Sequence, residues 1–327
     1  MVLVLVTHDP GPWFEETLAS IAAQTYPSLS VLVVDSASAI DPGERVSAVL
    51  PDAHVHRLEE DRGFGAAANQ ALALVEGAAF HVLCHDDVAL EPDSVRALVE
   101  EAFRSNAGII GPKLVEWDDP SRLLQVGMGA DKTGAQALLT ERHELDQEQH
   151  DAIRDVFVVP GGLTVVRADL FEHLGGFDEG IDGLGDDLDL CWRAHVAGAR
   201  VLVAPVTRVR HLEARGERRG TDDRRRQLAR HRLRSVLGNY GWWHRARVVP
   251  QAFAIALVEA IYAVVAGRPG QARDVLSAWS WNARRLGQVR SKRRGLKAIR
   301  QVSDREVRAL QVRGSARLSA FLRGQIG

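Results

Sequence analysis

The sequence predicts an α/β fold with a mostly parallel sheet flanked by helices, followed by a C-terminal basic helical region. Short apolar runs alternate with amphipathic stretches from residue 2 to residue 105, as strands joined by crossover helices do. Polar residues cluster just after the apolar runs end, at Thr7-His8, Asp35-Ser36 and His85-Asp86-Asp87. Charge divides sharply. Residues 1–206 hold 13 Lys and Arg against 35 Asp and Glu, a balance of −22, and residues 207–327 hold 28 against 8, a balance of +20.

The elements follow in order. Residues 2–6 are a buried-type strand, residues 13–25 a helix stopped by Tyr26-Pro27, and residues 30–34 a second strand ending at Asp35. A helix at 44–50 and a strand at 54–58 come next. The loop Glu60-Asp61-Arg62-Gly63-Phe64-Gly65 opens a helix expected over 66–76. Residues 80–84 form a strand that runs into His85-Asp86-Asp87, and a helix over 93–105 closes the first half. Ile109-Ile110-Gly111-Pro112-Lys113 begins the second half. It holds a Gly-rich stretch at 127–134, a polar loop or short helix at 140–155, and strands at 156–159 and 163–166 around Pro160-Gly161-Gly162. A helix through Leu190, Trp192 and Val196 precedes an apolar strand at 201–204.

A basic helix is expected over 224–237. The run 248–266 is nearly all apolar; its two polar residues and Pro250 favour a packed or in-plane helix over one that spans a bilayer. From 268 onward, Trp279, Leu286, Ile299, Leu318, Phe321 and other apolar residues alternate with many Arg, a pattern that fits an anionic membrane surface and equally a helical bundle with a solvated basic face. The length suits one large domain or two smaller ones. Two cysteines, Cys84 and Cys191, inside apolar segments point to buried free thiols rather than a disulfide framework. The first residues lack a charged and apolar leader pattern, so no signal peptide is expected.

Three constellations carry chemistry. Adjacent carboxylates at a strand end repel each other, and a divalent cation removes that repulsion while bridging to a diphosphate. Asp86-Asp87 fits this need in an acidic body that has to hold an anionic ligand. Asp186-Asp187-Leu188-Asp189 opens a helix, where free N–H groups and the dipole favour one or two carboxylates. A third is left over, and Asp187 or Asp186 facing a cleft could deprotonate a hydroxyl as general base. His211 follows an apolar strand, and neutral imidazole is a common metal ligand.

Together these motifs resemble family 2 glycosyltransferases of the nucleotide-diphospho-sugar (GT-A) fold, in the bacterial rhamnosyl- and galactofuranosyl-transferase-like branch. The resemblance rests on Val4-Leu5-Val6-Thr7-His8, Gln24-Thr25-Tyr26-Pro27, Val33-Val34-Asp35-Ser36-Ala37-Ser38 and Arg62-Gly63-Phe64-Gly65 through Asn69. It extends through His85-Asp86-Asp87, Gly111-Pro112-Lys113, Gly175-Gly176-Phe177-Asp178-Glu179, Asp187 to Arg193, and His211. It covers residues 1–215 and implies a transferase domain there, with a nucleotide-binding half at 1–110 and an acceptor half at 111–215; beyond it lies the basic helical region over 216–327, for which charge and apolar pattern leave membrane association as one expectation. Thr7, His8, Asp35, Ser38, Arg62, Gly63, Asn69 and Asp86 would then hold the nucleotide-sugar. Asp87 and His211 would hold Mn²⁺ or Mg²⁺. Asp187 would be the catalytic base with Asp186 beside it, and Trp192 and Arg193 would stand behind it. His85 and His8 depart from the commoner family residues.

The implied reaction is inverting transfer from a UDP- or dTDP-sugar to a glycan or polyprenyl-linked acceptor at the cytoplasmic face of the cell membrane. Three rival readings are weaker. A nucleotidyltransferase is expected to carry a basic phosphate loop after the first strand, which Thr7-His8-Asp9-Pro10-Gly11 lacks. A nucleic-acid binder would interleave aromatics with its Arg clusters, which the C-terminal region does not do. An inactive scaffold would not need the intact acidic positions.

Overall fold

The computed structural model describes residues 1–214, 221–314 and 316; Leu318 and Phe321 of the alternating C-terminal pattern lie outside them. β1 (Val2–Thr7) pairs in parallel with β2 (Ser30–Asp35) on one side and with β4 (Phe80–His85) on the other. β3 (His54–Arg57) extends the sheet beyond β2. β11 (Leu163–Arg167) lies antiparallel to both β4 and β6 (Ile109–Glu116), and β12 (Val201–His211) lies parallel to β6. The short β10 (Arg154–Asp155) closes the far edge, antiparallel to β12. β1, β2, β3, β4, β6 and β12 thus point one way, with β10 and β11 against them. β5 (Val88–Leu90) pairs with β12, and β7 (Leu123–Gln125) with β6. β8 (Met128–Ala130) and β9 (Gln136–Leu138) form a separate hairpin.

The alternation along β1 sends Val4 and Val6 into one core and Leu3 and Leu5 into the other. A strand buried on both faces reads as an unbroken apolar run. One core is covered by α1 (Phe14–Ala22) and α5 (Ser94–Ser105), through Phe14, Leu18, Val95 and Leu98. α2 (Gly43–Val49) packs beside α1 through Val46. The other is covered by α3 (Gly63–Ala68), α4 (Ala71–Leu74), α6 (Ala168–Leu174) and α7 (Asp186–Val196), through Phe64, Ala71, Phe171 and Trp192.

The second core continues into the basic region. α8 (Thr221–Asn239), α9 (Trp242–Val265), α10 (Pro269–Arg284), α11 (Leu286–Ile299) and α12 (Asp304–Ala309) follow one another. Val236, Val248, Leu296 and Val307 join the cluster that holds Trp192. Charge joins the two parts as well. Arg234 Nη2 lies 2.8 Å from Asp178 Oδ1, and Lys292 Nζ 2.8 Å from Asp178 Oδ2. Lys292 also bonds to Asp189, which Arg193 Nε approaches at 2.8 Å. The −22 and +20 halves therefore meet across a buried network.

Three local expectations change. The helix expected over 66–76 starts at Gly63 and breaks after Ala68, where both polar atoms of the Asn69 carboxamide bond to the Phe177 backbone. Residues 156–159 form no strand. They are buried by packing, with one bridge between Val158 and Met128 before Pro160. The strand expected to end at Ala204 passes a register shift around Pro205 and runs on to His211. A bulge lets a proline sit within a strand without breaking it.

Candidate active site

The site lies at the C-terminal ends of the parallel strands, where open α/β sheets bind ligands. At the end of β1, Thr7 Oγ1 donates to Asp86 Oδ2 at 2.8 Å, and the His8 amide donates to the same oxygen at 3.2 Å. At the end of β2, buried Asp35 accepts from the Ser38 amide and hydroxyl, at 3.1 and 2.5 Å. Arg57 Nε stands 3.3 Å from the other Asp35 oxygen. Ser36 Oγ donates to Asp61 at 2.8 Å, and Asp61 accepts from the Gly63 amide at 3.0 Å. Arg62 reaches outward towards Glu179, 3.8 Å away. The His8 ring at 2.7 Å from the Ser36 carbonyl and the Asp9 amide donating to Ser38 Oγ at 2.8 Å link these groups, so Thr7, His8, Asp35, Ser38 and Asp86 share one connected floor at the strand ends. Asn69 instead braces the first half of the chain against the second.

Next to this floor, the turn after β4 and the end of β12 bring His85, Asp87 and His211 together, with one potential ligand atom from each within 4.8 Å of the others. Asp87 is fully buried. Its Oδ2 accepts from the Ala214 amide at 2.8 Å, while among the described residues its Oδ1 accepts no hydrogen bond and faces His211 Nε2 at 3.3 Å and His85 Nδ1 at 3.8 Å. Burial works against the Asp87 charge, yet His211, His85 and the Ala214 amide hold its pKa well below the ordinary carboxylate range. Burial likewise opposes a charge on His211, but Asp87 outweighs it and raises that pKa. Two imidazoles and an orphaned carboxylate oxygen fit a divalent cation.

The Pro160-Gly161-Gly162 turn presses against both rings. Gly162 has φ +113°, and a Cβ there would sit 3.1 Å from His211 Nδ1; a Cβ on Gly161 would sit 3.3 Å from His85 Cε1. The Gly162 carbonyl also accepts from the His85 amide at 2.8 Å. No side chain fits in either place without moving an imidazole.

α7 supplies the third part. A cleft of about 350 Å³, open to solvent, is lined by Phe64, His85, Gly161, Phe177, Asp186 and Asp187 among others. Asp187 Oδ1 accepts from Leu188 N at 2.6 Å and from Gln136 Nε2 at 3.2 Å, and Asp186 accepts from the Asp187 amide at 2.9 Å. Burial pushes the Asp187 carboxyl up to about 6, against the pull of these donors and of Gly161. A carboxylate near neutral pKa is suited to take a proton. Trp192 and Arg193 face away from the cleft. Trp192 is packed edge-on against Phe157 and Tyr240, and Arg193 holds Asp189 and the Leu174 carbonyl.

Sequence reasoning put Asp87 and His211 at the cation and left His85 out, although it stands two residues from Asp87. It also missed Gln136 and the two glycines. The Gly-rich character of 127–134 and 160–162 was visible, but not its destination.

Comparisons with known proteins give the family and the fold. The chain is 27% identical over 270 residues to the N-acetylglucosaminyl-diphospho-decaprenol L-rhamnosyltransferase of Mycobacterium tuberculosis, covering 74% of this chain and 85% of that one. It is 28% identical over 224 residues to the O-antigen biosynthesis protein RfbC of Myxococcus xanthus, covering 66% of this chain and 18% of that protein. Among solved structures, the mannosyltransferase PcManGT of Pyrobaculum calidifontis, in complex with GDP-Man and Mn²⁺, superposes with a TM-score of 0.52 at 19% identity, over 91% of this chain and 84% of that one. Residues 1–349 of S. aureus TarS give a TM-score of 0.52 at 14% identity, over 86% and 91%. The shared fold is GT-A. Residues 2–236, well over half the chain, match the family described as Glycosyltransferase like family 2, and the protein is a member of that family and a glycosyltransferase.

Proposed function

We propose that the protein transfers a sugar, with inversion, from a UDP- or dTDP-sugar to a hydroxyl of a polyprenyl-linked glycan at the inner face of the cell membrane. The observation that carries this reading is the placement of Asp187, with its pKa pushed up to about 6, in the same cleft as His85 of the cation cluster. The Mycobacterium tuberculosis relative, whose name specifies a diphospho-decaprenol acceptor, supports the acceptor class.

Thr7, His8, Asp35, Ser38, Arg62, Gly63 and Asp86 are assigned to the donor's nucleoside diphosphate. His85, Asp87 and His211 would hold a divalent metal that neutralises the leaving diphosphate. Because imidazole suits transition metals better than Mg²⁺, the set favours Mn²⁺. Asp187 accepts the proton of the acceptor hydroxyl as that oxygen bonds to the anomeric carbon and the bond to the diphosphate breaks. Attack and departure on opposite faces invert the configuration, and positioning and charge supply the rate. Asp186 fixes the Asp187 backbone.

The membrane assignment rests on α9. Val258, Ile261 and Val265 along one side of it are 66%, 64% and 82% exposed, and Arg247 stacks over Trp243 at the start of the helix. Inner positions such as Ala256 and Ala260 are buried, Ala260 against Ala272 of α10, which suits a helix lying on a bilayer rather than crossing it. The test is a thermal-shift screen of UDP-, dTDP- and GDP-sugars with and without Mn²⁺, followed by transfer to a polyprenyl-diphosphate-linked GlcNAc. Absence of any metal-dependent stabilisation by a sugar nucleotide would overturn the proposal.

A further inference from the structure

The four residues ahead of α7, Asp182-Gly183-Leu184-Gly185, form a turn with little stiffness of its own. Gly183 and Gly185 have φ +98° and +94°, in the left-handed region that glycine enters freely. The Asp186 amide reaches the Gly183 carbonyl at 3.3 Å, a long bond. Asp187 stands two residues past this turn. Displacing a catalytic group by about 1 Å can cost roughly 10²-fold in rate, so the turn needs a brace.

That brace comes from the basic region. His231 of α8 is buried, and its ring grips the turn at both nitrogens: Nδ1 lies 2.7 Å from the Leu184 carbonyl oxygen and Nε2 lies 2.9 Å from Asp182 Oδ1. A carbonyl oxygen can only accept, so Nδ1 is the donor there. Trp281 of α10 backs the ring edge-on, with centroids 5.9 Å apart. Arg234, three residues on and so on the same face of α8, holds Asp178 at the start of the same loop. The turn also meets the donor half of the site. A Cβ on Gly63 would stand 3.1 Å from Asp182 Cα and from the Gly183 nitrogen, so the loop that opens α3 rests its backbone on the turn that His231 grips.

We infer that His231 is a positioning residue for sugar transfer: it fixes the turn that sets Asp187 at a constant distance from the Gly63 loop, and so keeps the base in register with the donor. The inference rests on the reading of Asp187 as the base and adds to it a residue that never touches substrate. A histidine that served packing alone would tie one helix to another. This one ends on a backbone carbonyl three residues before the base.

The test is steady-state kinetics of the full chain. The donor is the sugar nucleotide that stabilises the protein most in the thermal-shift screen, and the acceptor is polyprenyl-diphosphate-linked GlcNAc. Turnover is expressed per nucleotide-binding site, counted by calorimetry with Mn²⁺, so that unfolded protein drops out. His231→Phe keeps a ring against Trp281 and removes both nitrogens. Its kcat per site should fall by roughly 10²-fold, with KM for the sugar nucleotide within about twofold of wild type. His231→Asn, whose amide takes the place of Nδ1 and donates to Leu184, should regain about tenfold. If His231→Phe does not fold, Asp182→Ala decides. That side chain is exposed, and losing its contact with Nε2 should lower kcat about threefold with KM unchanged. Wild-type kcat in His231→Phe, or in Asp182→Ala where it stands in, overturns the inference. So does a loss that His231→Asn fails to relieve, or one confined to KM. Asp187→Asn reports on the reading beneath: if it abolishes turnover while His231→Phe leaves turnover intact, the positioning role alone falls, and if it retains turnover, the base assignment falls as well.

Discussion

Gln136 donates a hydrogen bond to Asp187 across 3.2 Å, from a hairpin tip to the first turn of a helix more than fifty positions away in the chain. The bond favours the charged carboxylate and so opposes the burial that raises its pKa. Asp187 must be deprotonated to accept a proton, so kcat/KM should rise with pH through about 6 and then level. Gln136→Leu removes a donor to the charged form, and the acidic limb should move to higher pH. An unmoved limb in a pH–rate profile would uncouple Gln136 from the base.

Asp187→Asn keeps the shape of the side chain and removes its basicity. Turnover should fall by about 10³-fold, within the range a general base contributes. Metal-dependent nucleotide affinity, measured by calorimetry, should stay within about twofold because no donor-binding residue is changed. Comparable turnover in the variant would move the base elsewhere, with Asp186 the nearest choice.

His85→Ala tests the cation cluster at the member that sequence reasoning omitted. Mn²⁺-dependent nucleotide binding should weaken by at least the roughly 10–100-fold that loss of an outer-shell partner alone produces. Asp87→Ala should weaken it further, because Asp87 supplies the only carboxylate of the three. Calorimetry with and without Mn²⁺ reads both, and full Mn²⁺ dependence in His85→Ala would remove that residue from the cluster.

Lys292→Met removes the cation shared by two buried carboxylates and leaves Asp178 with Arg234 and Asp189 with Arg193. Because each keeps an arginine, the loss should be smaller than the about 3 kcal/mol of an unpaired buried charge, and the melting temperature should drop by a few degrees. Lys292→Arg should recover part of it. Burial opposes the Asp178 charge, but Lys292 and Arg234 win and depress its pKa. The stability from this network is therefore present above the ordinary carboxylate pKa and is lost as pH falls below it. The gap between wild type and Lys292→Met should close in acid.

Val258→Asp with Ile261→Asp places two charges on the exposed stripe of α9, which runs about 36 Å. Cosedimentation with anionic vesicles should be lost while the melting temperature holds, since both side chains are largely in solvent. Unchanged sedimentation would assign that face to something other than lipid.

Much of the first half was legible from sequence. Strands buried on both faces leave unbroken apolar runs, and polar residues at their ends mark the crevice, so Thr7, Asp35 and Asp87 could be placed. The second half resisted for physical reasons. Pro205 resembles a strand terminus, yet a bulge carries the strand past it to His211. Residues 156–159 are as apolar as a strand, but tertiary packing rather than a ladder buries them. Gln136 carries no local signal, because its role depends on which hairpin lands on α7. His85 could have been recognised, since residues two apart at a strand end tend to share a side.

The ion network beneath α7 bears on how such enzymes can be recombined. Asp189, two residues beyond the base, is neutralised by Lys292 and approached by Asn239 at 3.1 Å, both from beyond residue 215. A chimera that joins residues 1–215 to another C-terminal module would leave Asp189 with Arg193 alone and strip Asp178 of both Arg234 and Lys292. Either the graft brings a cation to the same place, or positions 178 and 189 must be made neutral with it. The two parts of the chain are therefore not independent cassettes here: exchanging one means redesigning the seam that holds α7.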